Sequence, residues 1–248
     1  LEVSGNIRGA GGRPGAGVSG AGAAGRAPAA TPKRRRPDQL PGGHHGLSPE
    51  EVAASQRTRI VEALRASIAE HGYSEASVAD VIKRAGVSRK TFYAQFADKE
   101  ECFLEIYGER MGRLEAVVAD AFGSQDEWVA SLRAGIAALL NALALDPAAA
   151  RLCFVDVLAA GPRAAEARTA AMRTLEATLE LTRGAAGDGT APRALGMSMV
   201  GGLGEVLYQE IVGDRTAELP ALLPELMYAL VLPFAGRDAA ERELTRPR

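Results

Sequence analysis

The stretch that decides the fold is Ser77–Phe96, which reads SVADVIKRAGVSRKTFYAQF. Its first part places apolar side chains at helical spacing over Val78–Ala85, which predicts a short amphipathic helix, and Gly86 ends that run. Ser88 then has the residue type of a helix N-cap, so a second helix begins almost at once. The stretch therefore predicts two short helices set at a steep angle by a tight, glycine-containing turn.

The second helix of this hairpin has two different faces. Phe92 and Phe96 are spaced i, i+4, which directs both rings toward a core. The other face carries side chains that can reach bases and phosphates, namely Arg89, Lys90, Thr91 and Tyr93. Arg89 and Lys90 are candidates for base-edge or adjacent phosphate contacts, and Thr91 for a phosphate or a thymine methyl group. Any one of these cations also fits a solvated surface charge, but together they predict a helix that enters the major groove of DNA.

Helices flank the hairpin on both sides. Ser48 has the residue type of an N-cap, and the helix that follows it runs to His71, with Gly72 as the C′ residue. Asp98 caps a fourth helix that reaches about Phe122. Further helices are predicted over 125–144, 147–160, 163–183, 192–212 and 217–235. Because no strand pattern occurs, we predict an all-α fold with an N-terminal three-helix helix-turn-helix domain and a C-terminal helical domain.

Composition divides the chain into four parts. Residues 1–47 contain 12 of the 28 glycines and few large apolar side chains, so we expect a disordered arm. Its basic cluster Lys33–Arg36 fits either a contact to the DNA backbone or minor groove, or a solubilising tail. We assign residues 48–97 to the helix-turn-helix domain, residues 98–236 to an effector-binding and dimerisation domain, and residues 237–248 to a frayed tail.

Charge is distributed unevenly along the chain. Residues 1–99 carry 15 basic and nine acidic side chains, whereas residues 100–248 carry 14 basic and 22 acidic ones. A basic front favours contact with a polyanion such as DNA, although the basic arm alone accounts for most of the difference. Uncharged stretches reach only about a dozen residues, so we expect no membrane-spanning helix.

Cysteines and histidines give no sign of a disulfide framework or a metal site. Cys102 and Cys153 are too few for such a framework, which favours buried thiols and a cytoplasmic location. His44, His45 and His71 have no cysteine or acidic partner at ligand spacing. We therefore expect neither a metal nor a cofactor.

The residues of the hairpin and its flanks together form a specific pattern. They are Ile60, Ala66, Gly72-Tyr73, Ser77–Val81, Ala85–Ser88, Thr91–Tyr93, Phe96, Asp98–Glu100, Phe103 and Leu104. This pattern resembles the DNA-binding region of the TetR family, the tetracycline-repressor-like transcription regulators. The departures are Ser77 for a usual Thr, Ile68 for a frequent aromatic residue, Phe92 for Leu or Ile, and Ala97 for Pro. They leave the polarity of the contact positions unchanged.

The resemblance implies roles for individual residues. Tyr93 corresponds to a backbone-phosphate contact, Lys99 to a second phosphate clamp, and Ser77 to a similar donor on the first hairpin helix. The predicted DNA-binding set is Ser77, Ser88, Arg89, Lys90, Thr91, Tyr93 and Lys99. The resemblance continues in the last two helices, which imply a four-helix bundle with a second copy of the chain. Its candidate residues are Gly201, Gly202, Gly204, Leu223, Leu226 and Leu230, although the glycines also fit close packing within one subunit.

The resemblance also implies a small-molecule pocket in the C-terminal domain. Its candidate lining residues are Tyr107, Met111, Trp128, Cys153, Phe154, Met172, Met197 and Tyr208. Each of them also fits an ordinary core position. Few charges lie on the inward faces of these helices, so an apolar or amphipathic effector is favoured.

The predicted function is a ligand-responsive homodimeric repressor that binds a palindromic operator in double-stranded DNA and releases it when the effector binds. The alternatives are a helical enzyme and a helical scaffold that has lost DNA binding. No nucleophile–base pair, phosphate loop or carboxylate pair is recognisable, which argues against an enzyme. Lys90, Tyr93 and Lys99 argue against the scaffold.

Overall fold

The computed structural model describes residues 48–125, 127–185 and 193–246. These residues form α1 (Pro49–His71), α2 (Val78–Ala85), α3 (Arg89–Gln95), α4 (Lys99–Gly123), α5 (Trp128–Leu145), α6 (Pro147–Phe154), a 3-10 helix (Asp156–Leu158), α7 (Pro162–Ala185), α8 (Arg193–Val212), a second 3-10 helix (Thr216–Leu222) and α9 (Leu223–Thr245). No strand occurs in these ranges, which confirms the all-α prediction. The predicted arm over 1–47, with its basic cluster and the pair His44 and His45, lies outside the described residues.

Side-chain caps fix where the N-terminal helices begin. Ser48 and Glu51 form a capping box, in which the Ser48 hydroxyl accepts the Glu51 N–H at 3.1 Å and the Glu51 carboxylate accepts the Ser48 N–H at 2.7 Å. Ser77, Ser88 and Asp98 cap α2, α3 and α4 by accepting the N–H three residues further on. Each such cap stabilises its helix by about 0.5–2 kcal/mol. Local sequence therefore sets these boundaries, as predicted.

Two glycines end the first helices in conformations that other residues rarely adopt. Gly72 follows α1 at φ 78°, and its N–H donates to the carbonyl of Ile68. Gly86 follows α2 at φ 66°, and its N–H donates to the carbonyl of Ile82. Positive φ costs glycine little, so both predicted C′ residues are confirmed.

Helices α1, α2 and α3 pack on the first half of α4 around one core, here called the N-terminal core. Its largest buried side chains are Ile60, Leu64, Val81, Phe92, Phe96, Phe103 and Ile106. Five buried residues from α6, the first 3-10 helix and the α6–α7 region complete it: Leu152, Cys153, Val157, Ala160 and Ala164. The N-terminal core therefore takes side chains from α4 and from a segment some 60 residues further along the chain.

The second half of α4 belongs to a different core, here called the C-terminal core, with α5, α8 and α9. Its members include Val118, Phe122, Leu132, Leu140, Leu203, Leu207 and Met227. Phe154, at the end of α6, packs against both cores. Because α4 runs without interruption from Lys99 to Gly123, one helix spans both cores.

The end of the chain differs from the predicted frayed tail. Helix α9 breaks at Gly236 (φ 79°) and then continues to Thr245, with Ala240 and Glu243 buried. The Glu243 carboxylate pairs with the Arg133 guanidinium of α5 at 2.8 Å. Because this partner lies 110 residues away in the sequence, local composition gave no sign that the segment is held.

Two helical segments, Trp128–Leu145 and Thr216–Thr245, are long and apolar enough to cross a membrane, with mean hydropathies of 1.6 and 1.5. The sequence-based exclusion of such segments considered only uncharged stretches and is wrong on this criterion. The same length and composition are found in core helices of water-soluble folds. Helix α5 has such a position, since nine of its residues are buried within the chain, and packing explains its apolar character.

Candidate nucleic-acid interface

Helices α2 and α3 form the predicted hairpin, and three residues, Gly86, Val87 and Ser88, lie between them. The N–H groups of Gly86 and Val87 both donate to the carbonyl of Ile82, at 3.0 and 3.3 Å, which closes the end of α2. The Ser88 hydroxyl then accepts the Thr91 N–H at 3.0 Å and lies 2.8 Å from the Thr91 hydroxyl. The cap thus occupies both predicted contact residues Ser88 and Thr91 in the free protein.

Helix α3 has one buried and one exposed face. Phe92 and Phe96 are each only 1% exposed and hold the helix against the N-terminal core. Arg89 and Lys90 are exposed, and Tyr93 is 46% exposed although its ring is large and apolar. In the described part of the chain no residue pairs with the Lys90 ammonium. The structure therefore brings Arg89, Lys90 and Tyr93 together on one open surface.

The ring of Tyr93 is positioned by its neighbours. It packs edge-to-face with the Phe92 ring, with 5.3 Å between the two centroids. The Arg89 guanidinium carbon lies 5.7 Å from the centroid of the Tyr93 ring. No described residue provides a hydrogen-bond partner for its hydroxyl. The phenol is therefore packed but still able to donate to an external acceptor such as a phosphate oxygen.

The Lys99 ammonium already makes hydrogen bonds within the protein, which a lysine that only clamps a phosphate would not. Its ammonium donates to the carbonyls of Tyr73 and Ala76 at 2.8 and 2.9 Å and lies 3.9 Å from the centroid of the Tyr73 ring. Burial lowers the pKa of this ammonium from its ordinary value. Because an ammonium has three protons, one remains for a phosphate, and the clamp stays a prediction. These contacts join the α1–α2 loop to α4.

Ser77 caps α2 and has a local role. Its hydroxyl accepts the Asp80 N–H at 3.2 Å and donates to the Asp80 carboxylate at 2.5 Å. A phosphate contact from Ser77 would have to replace the second of these bonds, so that contact also stays a prediction.

Two arginines of α1 position the hairpin, and sequence reasoning missed both. Arg59 donates to the carbonyl of Ala85 at the end of α2 at 2.9 Å, and Arg57 donates to the carbonyl of Gln95 at the end of α3 at 2.7 Å. The Arg57 guanidinium carbon also lies 4.1 Å from the centroid of the Phe96 ring. The last carbonyls of a helix lack partners within the helix, so the sequence could have indicated that α2 and α3 need external donors. It could not have indicated which arginine provides each donor.

A separate cavity of about 130 Å³ lies among α4, α5, α7 and α8. Of the eight predicted pocket residues, Met111, Phe154 and Met172 line it. The remaining lining is mainly aliphatic, from residues that sequence reasoning did not single out: Leu114, Val118, Leu139, Leu175, Val200 and Leu203. Glu115 is the only ionisable side chain among the residues described as lining this cavity.

The other predicted pocket residues lie apart from this cavity. Tyr107 and Cys153 are buried in the N-terminal core, and burial raises the pKa of the Cys153 thiol to about 12. Trp128 packs on the Phe234 ring at 5.6 Å between centroids. Met197 is 55% exposed on an outer groove between α7 and α8, and Tyr208 is half-buried away from the cavity. Their role in effector binding stays a prediction.

The predicted interface residues fall into two groups. Gly201 and Gly202 are exposed, and a Cβ atom added to either would meet no atom within 4 Å. Gly204 is buried, with an added Cβ only 3.2 Å from the Met172 methyl carbon, so it serves close packing within one chain. Leu223, Leu226 and Leu230 are likewise buried in the C-terminal core of the same chain.

No group of three or more potential metal ligands occurs in the described ranges. His71 is exposed at the end of α1, with its Nε2 3.6 Å from the Glu70 carboxylate. Cys102 and Cys153 are unpaired and buried, and burial raises the pKa of the Cys102 thiol to about 12, so both are protonated, unreactive thiols.

Known proteins similar to this chain include DNA-binding regulators, in agreement with the helix-turn-helix geometry. Residues 60–106, which include the hairpin, match the family model described as bacterial regulatory proteins, tetR family. This region of the chain is therefore similar to the tetR family. The family segment spans the second half of α1, all of α2 and α3, and the start of α4, so it includes Tyr93 and Lys99.

Curated tetR-family relatives are similar mainly in this region. The transcriptional repressor AcnR of Corynebacterium diphtheriae is 38% identical over 65 residues, which are 26% of this chain and 34% of that protein. The chain thus spans about a third of the length of the curated repressors that it matches. The transcriptional activator FasR of Mycolicibacterium smegmatis is 24% identical over 148 residues, which are 59% of this chain and 68% of that protein.

Solved structures show the same fold over most of the chain. FadR of Bacillus halodurans, a fatty acid degradation regulator, has a TM-score of 0.61 at 22% identity and covers 73% of this chain and 97% of its own. FadR of Bacillus subtilis, solved in complex with stearoyl-CoA, has a TM-score of 0.60 at 21% identity and covers 70% and 97%. At this identity the likeness shows the fold alone, over about seven tenths of this chain.

Proposed function

We propose that this chain is a sequence-specific DNA-binding transcriptional regulator that acts as a homodimeric repressor in the cytoplasm. The observation that carries the proposal is helix α3, whose two phenylalanines are buried while Arg89, Lys90 and Tyr93 are exposed on one surface. Such a helix inserts its first turns into the major groove, where Arg89 and Lys90 reach base edges and Tyr93 donates to a phosphate. The match of residues 60–106 to the tetR family model supports this use of the hairpin.

A two-fold pair of chains presents two such helices to one face of the duplex. We propose that each reads one half of a palindromic operator, with half-sites one helical turn of about 34–36 Å, or a multiple of it, apart. The glycines Gly201 and Gly202 and the apolar side chain of Val206 are exposed on α8, and Leu232 is exposed on α9, which supports a partner that contacts these two helices. A repressor of this kind acts by occluding a promoter.

The effector that we propose is an amphiphile with an apolar chain. The cavity of about 130 Å³ is almost wholly apolar, and a smaller one of about 20 Å³ shares Leu175, Val200 and Leu203 with it. The FadR structure that holds stearoyl-CoA supports a long acyl chain as the apolar part. An enzyme is not favoured, because the relatives are transcriptional regulators and Glu115 is the only ionisable side chain among the described residues that line the cavity.

Selection from random duplex DNA with the full chain tests the proposed DNA binding. We expect an enriched sequence with two-fold symmetry, and binding that weakens steeply as salt rises because phosphate contacts release counterions. A double variant R89A/K90A should lose this binding, while R173A/R237A, which removes two exposed arginines from the C-terminal part, should keep it. No enrichment, or equal loss in both variants, would contradict the proposal.

A second experiment tests the effector. Stearoyl-CoA should bind the chain and release the selected duplex, whereas coenzyme A alone should do neither, because the apolar chain carries the binding. If coenzyme A alone released the duplex equally well, the cavity would not be the binding site.

A further inference from the structure

The α1–α2 loop is held by a residue from far along the chain. The backbone N–H of Tyr73 donates to the Asp156 carboxylate at 2.9 Å, across 83 residues of sequence. Asp156 begins the 3-10 helix after α6 and is only 5% exposed. Its second carboxylate oxygen is buried and has no partner among the described residues.

The opposite side of Tyr73 is held by the start of α4. Lys99 donates to the Tyr73 carbonyl at 2.8 Å and lies over its ring, and the ring meets the Phe103 edge at 5.0 Å between centroids. Tyr73 is 6% exposed. One residue of the loop before α2 is therefore fixed between α4 and the segment that follows α6.

The start of α7 is tied to the same place. The Arg163 guanidinium contacts both carboxylate oxygens of Asp98 at 2.5 and 2.6 Å and the Glu100 carboxylate at 3.1 Å. Glu100 in turn accepts the N–H of Ala164 at 3.0 Å, which satisfies a free amide in the first turn of α7. The residues from Asp156 to Ala164, here called the α6–α7 connection, therefore contact the DNA-binding region at two points.

Both ends of this connection lead to the cavity. Phe154 lies two residues before Asp156, lines the cavity and packs on both cores. Ala171 and Met172 line the same cavity about two turns after Arg163 on α7. A molecule that occupies the cavity therefore contacts residues that lie within about two helical turns of the two contact points.

We infer that the α6–α7 connection transmits occupancy of the cavity to the DNA-reading hairpin, with Asp156 as the positioning residue that holds Tyr73. This inference rests on the proposed function. It adds a second connection between the cavity and the hairpin, besides helix α4, which spans both cores. A ligand shifts a conformational equilibrium only through contacts that differ between the two states, and displacement of Phe154 changes the Asp156–Tyr73 contact directly. Burial raises the pKa of the Asp156 carboxyl, so an ionised carboxylate at this position costs stability. Such a cost is expected where the contact that the group makes has a function.

A cavity-filling substitution replaces the unidentified effector in the test. Ala171→Leu places three more carbon atoms in the cavity, and Ala170→Leu makes the same change one residue earlier, on the exposed side of α7. Amide hydrogen exchange is measured on the full chain, with α9, none of whose residues is among those that line this cavity, as the internal reference. We expect A171L to speed exchange of the Tyr73 amide by at least about fivefold, the lower end of ordinary coupling between sites, and A170L to leave it unchanged.

The role of Asp156 is tested by combining substitutions. In D156A the Tyr73 amide already exchanges fast, and A171L should add nothing. In D156N an acceptor is kept, so the response to A171L should return. If A171L leaves the Tyr73 amide unchanged, or changes it equally in the wild-type and D156A chains, the inference is wrong. Because the first comparison needs only wild type, A170L and A171L, it decides even if D156A does not fold.

Binding of the selected duplex gives a second readout that a merely structural role would not move. We expect A171L to weaken it by at least about fivefold in the wild-type chain and in D156N, but not in D156A. An Asp156 that only stabilises the fold would give the same A171L factor in all three, which would overturn the inference. If the wild-type chain binds no duplex, the proposed function fails, whereas the exchange measurement still decides on the connection.

Discussion

Replacement of Tyr93 by phenylalanine isolates one atom of the proposed DNA interface. The ring keeps its contact with Phe92 at 5.3 Å, and no described residue loses a hydrogen bond, since none is made to this hydroxyl. The free energy of unfolding should therefore change by less than about 0.5 kcal/mol. A hydrogen bond to a charged group is worth about 1.5–3 kcal/mol, so each reading head should lose about 10- to 140-fold in affinity for DNA.

Fluorescence anisotropy with the selected operator and a scrambled duplex measures this loss. Tyr93 is assigned to the backbone, so both duplexes should weaken by the same factor. The slope of affinity against salt should stay the same, because the phenol carries no charge at neutral pH. Tyr228→Phe is the control, because it removes the same hydroxyl from a half-buried tyrosine of α9, far along the chain from the hairpin. Unchanged affinity in Y93F would refute the contact, and a loss confined to the operator would make Tyr93 a base-reading residue instead.

Three further substitutions test other parts of the structure. Lys90→Ala should change the preferred operator sequence by about 1–3 kcal/mol at one base position in a repeated selection, and an unchanged preference would refute base reading by Lys90. Glu243→Gln should lower the free energy of unfolding by about 3–5 kcal/mol in urea because it breaks the buried pair with Arg133, while E241Q, on the exposed neighbour, should not. Asp156→Asn should be more stable than wild type at neutral pH. The pKa of the Asp156 carboxyl is raised in the folded state, so wild-type stability falls as pH rises from the ordinary carboxyl range through that raised value. The two chains should converge in acid, and a difference independent of pH would contradict this assignment.

Local chemistry made the DNA-binding region predictable. The caps Ser48, Ser88 and Asp98 act within three residues of themselves, and Gly72 and Gly86 act on the helix that they follow. Such interactions are written into short stretches of sequence. The two faces of α3 follow in the same way from the i, i+4 spacing of its phenylalanines, so the exposed position of Arg89, Lys90 and Tyr93 needed no tertiary information.

Features that depend on distant partners were not predictable. Lys99 was expected at a phosphate, yet its ammonium donates to two carbonyls some 25 residues earlier. Glu243 was placed in a frayed tail because charge is normally solvated, but it pairs with Arg133 in a buried site. The cavity shares this difficulty, since Leu139 and Val200 have the residue types of ordinary core and only their mutual arrangement leaves a space.

The N-terminal core bears on any attempt to change the DNA sequence that the proposed interface would read. Five of its buried residues come from positions 152–164, so the contiguous segment 48–97 is not a module that can be transplanted alone. A hybrid that exchanged only that segment would set foreign side chains against Leu152 and Val157, and it would leave the acceptor for the Tyr73 amide to chance. A workable graft either changes only the exposed residues of α3 or transfers residues 150–164 together with the segment that replaces 48–97.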